Sequence, residues 1–344
     1  MNMDEKLHFA DLPSQLLNWY SQSARQLPWR IGPGERAQGV TPDPYRVWLA
    51  EIMLQQTTVP HATRYYLAFT KRWPSIHDLA AAKDEEVMAA WAGLGYYARA
   101  RNLLKCARAV SAWGGWPQTE QGLRELPGIG PYTAGAIAAL AFGQRAAAVD
   151  GNVDRVFARL MALKGDWKSE KVRLKSVVEA LVPEDHPAEF AEALMDLGAT
   201  ICTPKSPNCL ICPLRSMCAA QAEGSPERYP IKPKKVAKPT RQGHVYLLLG
   251  RDRPVRTERR PDKGLLGGML GLPTSDWSES LADTEFPATG EWQEVGEVRH
   301  VFTHFALTLT VWRLQLDGSA ETTPIKAAAD ALPSVFAKAL KLVI

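Results

Sequence analysis

Cysteine is scarce in this chain of 344 residues: there are five, and four of them, Cys202, Cys209, Cys212 and Cys218, fall within one short stretch. Long apolar runs are missing too. The most alanine-rich segment, residues 133–149, is interrupted by Gln144 and Arg145, which leaves nothing long enough for a membrane span. Residues 1–15 carry Asp4, Glu5 and Asp11 and lack the apolar core of a signal peptide. No membrane partner and a cytoplasmic location are therefore expected. Excess charge is also missing: the formal net charge is +4, which permits a polyanionic partner without demanding one. The basic residues are nevertheless gathered. Residues 228–241 hold six lysines or arginines and no acid, and residues 251–263 hold six against three acids. Such runs mark either polyanion contact or an ordinary solvated surface.

The four clustered cysteines read C-x6-C-x2-C-x5-C. Without a secretory context, thiols at this density read as metal ligands rather than disulfides. Four thiolates hold either zinc or a [4Fe–4S] cluster. Zinc sites usually pair their cysteines as two short knuckles. Here only Cys209 and Cys212 are close, so a cluster wrapped by one loop is favoured. The fifth cysteine, Cys106, reads as a packed small apolar residue.

Hydrophobic content of 46% supports packed cores, and the length suggests about two domains. Over residues 12–220 apolar residues recur at three and four, with breaks at Trp73-Pro74 and Gly114-Gly115-Trp116-Pro117, which predicts a mostly helical domain. Residues 224–241 are rich in proline and basic residues and read as a linker. Beyond Gln242 the pattern turns to strand at residues 244–249 and 308–316 and ends in a short helix near residues 333–342. The expected organisation is a helical domain over residues 1–223, a linker over 224–241 and an α/β or α+β domain over 242–344.

Three local features carry chemistry. The segment Leu126-Pro127-Gly128-Ile129-Gly130-Pro131-Tyr132-Thr133 reads as a helical hairpin. Its glycines permit a turn at positive φ, and Pro131 fits the first turn of the following helix. Free N–H groups at such a helix start suit a phosphate, although an ordinary helical corner has the same composition. Seventeen residues beyond Thr133 stands Asp150, followed by Gly151 and Asn152. Asp150 or Asn152 also reads simply as the cap of the next helix. Finally, residues 44–59 read as one helix, in which Glu51 is the only charge between Val47 and Leu54. A carboxyl among apolar neighbours is desolvated and prepared to donate a proton; the alternative is a partly exposed Glu on a thin polar side.

In this order, these segments resemble the endonuclease III superfamily of helix-hairpin-helix DNA glycosylases, whose [4Fe–4S] loop has the same cysteine spacing. Within the superfamily the chain is similar to the MutY-type adenine glycosylases. The matching segments are Leu27-Pro28-Trp29-Arg30, Trp48 through Thr57, Gly93 through Leu103, the hairpin, Val149 through Val153, and Glu192 through Ala199. The resemblance is dense over residues 10–220. It implies a mostly α catalytic domain with a [4Fe–4S] loop at residues 202–218, plus an α+β Nudix-like C-terminal domain. It implies a monomer that acts on double-stranded DNA, in base excision repair, at adenine opposite 8-oxoguanine or guanine.

Roles follow by resemblance, residue by residue. Glu51 matches the general acid that protonates the flipped adenine. Asp150 matches the carboxylate facing the anomeric carbon, and Asn152 and Tyr132 match residues organising that site. Gln56 and Tyr96 match residues that intrude into the duplex, although they also read as a helix-end Gln and a core Tyr. Arg25, Leu27, Trp29 and Val59 fit the wall of the adenine pocket, with Trp29 equally suited to plain core; Arg30 is expected to contact substrate or DNA, and Glu192 supplies a second carboxylate. Gly128 and Gly130 belong to the DNA-contacting hairpin. Bifunctional members carry a nucleophilic lysine where this chain has Tyr132. A tyrosine forms no Schiff base, so a monofunctional glycosylase is expected. In the C-terminal domain, Phe302-Thr303-His304 corresponds to a Phe-Ser-His loop that reads 8-oxoguanine, with Thr303 in place of serine. No Glu-rich Nudix metal box follows Pro273, so no pyrophosphohydrolase activity is expected.

Overall fold

The computed structural model describes residues 7–231, 237–251, 254–261, 264–281, 283–316 and 323–344. The chain divides into two compact units, Met1–Lys234 and Lys235–Ile344. Residues 232–236 of the expected linker lie outside the described residues, as do residues 252, 253, 262 and 263 of the second basic run. Tyr229, inside that expected linker, is buried in the core of the first unit, and Ile231 packs against it.

The first unit is helical. Its elements are α1 (Leu12–Ser23), α2 (Pro33–Ala37), α3 (Pro44–Leu54), α4 (Val59–Arg72), α5 (Ile76–Ala81), α6 (Asp84–Trp91), α7 (Ala98–Trp113), α8 (Glu120–Leu123), α9 (Pro131–Phe142), α10 (Gly151–Leu160), α11 (Trp167–Leu181), α12 (Pro187–Thr200) and α13 (Ala219–Ala222). Two cores form. Helices α1, α10, α11 and α12 enclose one, with Phe157, Phe190 and Leu194 at its centre. Helices α3 to α7 enclose the other, around Trp48, Tyr66 and Trp91. Helix α9 serves both: Ala136 and Leu140 face the first, Ala134, Ile137 and Ala138 the second. Its alanines let α3 and α12 approach closely from opposite sides. Each fully buried leucine or isoleucine here contributes roughly 2 kcal/mol through removal from water.

Two expectations need correction. The helix expected over residues 44–59 is two helices, since α3 ends at Leu54 and α4 begins at Val59. Between them Gln56 adopts φ 55°, a conformation that ends an α-helix. In the hairpin only Gly128 has positive φ, at 77°. A Cβ there would lie 2.7 Å from the Asn102 Cβ, so Gly128 is required by space as well as by φ. Gly130 is extended, with φ −88° and ψ 176°, and caps α9, with Pro131 at its first position.

The second unit contains β1 (Thr240–Leu249), β2 (Glu258–Arg259), β3 (Leu270–Gly271), β4 (Gln293–Val301) and β5 (Ala306–Gln315), then helices α14 (Ile325–Ala331) and α15 (Ser334–Leu340). Strands β1, β5 and β4 form one sheet, β1–β5 parallel and β4–β5 antiparallel. The period of two splits the side chains. Val245, Leu247, Leu307, Leu309 and Val311 share a core with the two helices, whereas Tyr246, Leu248 and Leu314 pack on the other face with Trp292 and Trp312. Phe302 through Phe305 form the tip of the β4–β5 hairpin, closed by a Phe302 N–H donating to the Phe305 carbonyl at 2.9 Å.

Candidate active site and iron–sulfur loop

Helix α3 is started by Asp43, whose carboxylate accepts the Tyr45 N–H at 2.9 Å, and by Pro44 in its first turn. Every residue from Val47 to Met53 is buried, and Glu51 is only 8% exposed. Tyr132, in the first turn of α9, donates its hydroxyl proton to Glu51 Oε2 at 3.0 Å. Burial pushes the Glu51 carboxyl up to about 7; the Tyr132 hydrogen bond works against this, and the negative charge of Asp150 adds to it. Burial, together with the charge of Glu51, holds the Tyr132 phenol well above its ordinary value, so it stays a donor.

Asp150 fulfils the capping reading and remains available for chemistry. Its Oδ1 accepts the N–H groups of Asn152 and Val153, both at 2.8 Å, which starts α10. Its Oδ2 accepts the Asn152 side-chain amide at 2.8 Å. Asn152 is held in turn by Arg155, whose Nη2 donates to Asn152 Oδ1 at 2.9 Å and to the Gly198 carbonyl at 2.6 Å. A Cβ on Gly198 would stand 2.6 Å from the Asn152 Cβ, so only glycine admits this close crossing of α10 and α12.

Glu51, Tyr132, Asp150, Asn152, Arg25, Leu27, Trp29, Arg30, Gln56, Val59 and Glu192 all line one cavity of about 550 Å³. Trp29 is not plain core: it meets the Tyr66 ring edge-to-face with centroids 5.2 Å apart, and it also borders this space. The far wall is a charge network. Glu192 accepts the Tyr20 hydroxyl at 2.7 Å and faces Arg36 at 3.5 Å and Arg30 at 3.7 Å. Burial raises its carboxyl, and Arg30, Arg36 and Tyr20 pull it back. Asp196 is fully buried and receives Arg25 at 2.6 Å and Arg30 at 2.7 Å. Removing such a buried carboxylate costs on the order of 3–5 kcal/mol, because its partners keep uncompensated charge.

Gln56 and Tyr96 lie at turns rather than in the core. Both have positive φ, 55° and 50°, and Tyr96 is 53% exposed. A non-glycine residue in this region costs roughly 1–2 kcal/mol. Phe302 turns inward, stacked on Trp277 with centroids 6.0 Å apart, while Thr303 and His304 are exposed.

Cys202, Cys209, Cys212 and Cys218 line a common small cavity, together with Arg159 and Arg215. Burial pushes the Cys212 thiol up to about 12, and the neighbouring Cys202, Cys218 and Cys209 thiolates add to this. Clustered thiols are ionised together only around a cationic centre. Arg159, 1% exposed, donates to the Cys202 sulfur at 3.2 Å and to the Thr203 carbonyl at 2.7 Å. Cys106 is fully buried, and burial holds its thiol up at about 12.

Three family models match the chain: the HhH-GPD superfamily of base excision DNA repair proteins over residues 49–180, the iron–sulfur binding domain of endonuclease III over residues 202–218, and the NUDIX domain over residues 244–342. Adenine DNA glycosylase of Homo sapiens is 37% identical over 373 residues, covering 90% of this chain and 68% of its own. That of Mus musculus is 36% identical, covering 90% and 72%. The chain belongs to the adenine DNA glycosylase family. Among solved structures, a thermostable thymine-DNA glycosylase aligns with TM-score 0.56 at 30% identity, covering 63% of this chain and 98% of that one. A non-covalent endonuclease III–DNA complex aligns with TM-score 0.52 at 22% identity, covering 65% and 99%, which shows the shared fold. Family membership makes DNA the binding partner, and the iron–sulfur domain match puts a [4Fe–4S] cluster at residues 202–218.

Within this family site, sequence reasoning missed Arg36, Arg155 and Asp196. Arg36 and Asp196 each meet partners more than 150 positions away. Arg155 joins the cap of Asp150 to the cluster loop, its Nε donating to the Cys202 carbonyl at 2.8 Å. Its spacing on α10, three residues from Asn152 and four from Arg159, is the one signal that placed all three on one side of a helix.

Among the described residues, no helix is long and apolar enough to cross a membrane.

Proposed function

We propose that this protein, acting as a monomer, excises adenine opposite 8-oxoguanine or guanine from double-stranded DNA by hydrolysis, without cutting the strand. One observation carries the reading: a buried, proton-retaining carboxyl, Glu51, borders the same cavity as a capped carboxylate, Asp150. Two carboxyl groups in contrasting environments are the means by which a glycosidic bond is broken. The target base enters the cavity out of the stack. Glu51 gives its proton to a ring nitrogen of adenine. The C1′–N9 bond breaks with its electron pair leaving on the base, and positive charge develops on the sugar. Asp150 stabilises that charge while water attacks C1′, its proton passing to the Glu51 carboxylate, which is thereby restored to its protonated form. Asn152 orients Asp150, and Tyr132 orients Glu51. The hydrolysis is redox-neutral and needs no electron from the cluster.

Gln56 and Tyr96 are read as the side chains that enter the duplex, the Gly128–Gly130 hairpin as a phosphate contact, and Phe302, Thr303 and His304 as the reader of the opposite base. The rival reading is a glycosylase–lyase of the endonuclease III kind, which needs a lysine where Tyr132 stands. A single-turnover assay on a duplex with one adenine:8-oxoguanine pair separates them. Breaks seen only after alkali support the hydrolase; direct breaks support a lyase. No product from cluster-loaded protein overturns the adenine assignment.

A further inference from the structure

Arg99 stands in the first turn of α7, outside the cavity, and its guanidinium joins two loops. Nη1 donates to the carbonyls of Gln55 at 2.7 Å and Ile52 at 2.9 Å, with Met53 at 3.4 Å. Nη2 donates to the carbonyls of Leu94 at 3.0 Å and Gly95 at 3.2 Å. The same cation lies over the rings of Trp91 and Tyr96, at 5.3 and 5.5 Å. Its first set of acceptors is the C-terminal end of α3, immediately before Gln56. Its second is the turn immediately before Tyr96.

Gln56 and Tyr96 are two of five non-glycine residues with positive φ among the described residues. Both are exposed, and the ring of Tyr96 rests against the Arg99 cation itself, so burial of their own side chains in a core does not hold the strained backbone. Such a conformation persists only where its surroundings impose it. A planar fork with five donors binds carbonyls on both sides at once, and an ammonium group at the same place lacks that geometry. A carbonyl-capping role at the end of α3 explains the bonds to Ile52 and Gln55, but not those to Leu94 and Gly95.

We propose that Arg99 is a positioning residue that holds Gln56 and Tyr96 at a fixed separation, so that they enter the duplex as a pair. This rests on the proposed intrusion of those two side chains. Arg99 touches neither the reacting atoms nor the base; it acts through both turns together.

The test uses cluster-loaded full-length protein and a duplex with 2-aminopurine beside the target adenine, whose fluorescence rises when stacking is disrupted. Variants R99K and R99M are compared with Gln56→Ala/Tyr96→Ala, and R99M is also placed in that double-variant background. R99M is expected to suppress the fluorescence rise and to slow single-turnover excision on the order of 100-fold, the scale of a misplacement of about 1 Å, with iron content retained. R99K, which keeps the charge without the fork, recovers little of either. In the Gln56→Ala/Tyr96→Ala background R99M costs less than about 2-fold more, because it has nothing left to position. A full multiplicative loss in that background reveals a general structural role and overturns the inference. If the double variant is impaired while R99M behaves as wild type, the inference alone falls. If the double variant itself unstacks and excises normally, the intrusion reading falls and the inference with it. Should R99M not fold, R99K is read by the same criteria.

Discussion

Tyr132 and Glu51, 81 positions apart in sequence, meet through a hydrogen bond of 3.0 Å that joins α9 to α3 at the cavity wall. The bond orients the carboxyl and also limits how far burial raises it, because a hydroxyl donating to a carboxylate favours the ionised form.

Excision that needs a protonated Glu51 has a descending alkaline limb beginning near 7, the value to which burial pushes this carboxyl, with about a tenfold loss per pH unit above it. In Tyr132→Phe the opposing hydrogen bond is gone, so the limb moves to higher pH. Single-turnover rates from pH 5 to 9 check both statements, and a limb that moves down contradicts the assigned proton donor.

The same carboxyl makes stability depend on pH. Its folded-state value, about 7, lies above its ordinary value of 4.5. The folded state therefore binds more protons between those limits, and stability falls as pH rises from about 4.5 to about 7. Glu51→Gln escapes this penalty. It is expected to be more stable than wild type at pH 8 by up to roughly 3 kcal/mol, and nearly equal at pH 4. Chemical denaturation at the two pH values decides the matter. Catalysis is lost in the same variant.

Asp150→Asn keeps a side-chain oxygen for the N–H groups of Asn152 and Val153, but its amide nitrogen then faces the Asn152 side-chain amide that Asp150 Oδ2 accepts, so stability falls by about 1–2 kcal/mol. The charge facing the sugar is lost. Excision is expected to fall at least ~1000-fold, about 4 kcal/mol of transition-state stabilisation, with duplex binding retained in a gel-shift titration. Equal losses of binding and excision speak against the assigned role.

Arg159→Met removes the donor shared by the Cys202 sulfur, the carbonyls of Cys202, Thr203 and Pro204, and that of Tyr229. With this guanidinium almost fully buried, the loss is expected to cost about 3 kcal/mol. Iron content per chain, measured after purification, is expected to drop with it. Full iron loading at wild-type stability refutes this account of the loop.

What the sequence by itself determined is local. Pro131 behind Gly130 starts α9, Asp150 two residues before Asn152 caps α10, and a solitary Glu51 within an apolar turn becomes a buried carboxyl. These outcomes depend on dihedral preference, on capping within one turn and on periodicity, all of which act over a few residues. The end of α3 escaped this reading, because Gln55, Gln56, Thr57 and Thr58 carry no glycine or proline to stop a helix and the conformation of Gln56 breaks it. The meeting of Glu51 with Tyr132, of Arg25 and Arg30 with Asp196, and of Arg155 with both Asn152 and Cys202 was decided by tertiary structure. Charges and donors carry no periodic signature, and their partners are selected only when helices distant in sequence pack together and exclude water. There an unpaired group costs several kcal/mol, so packing and pairing settle together.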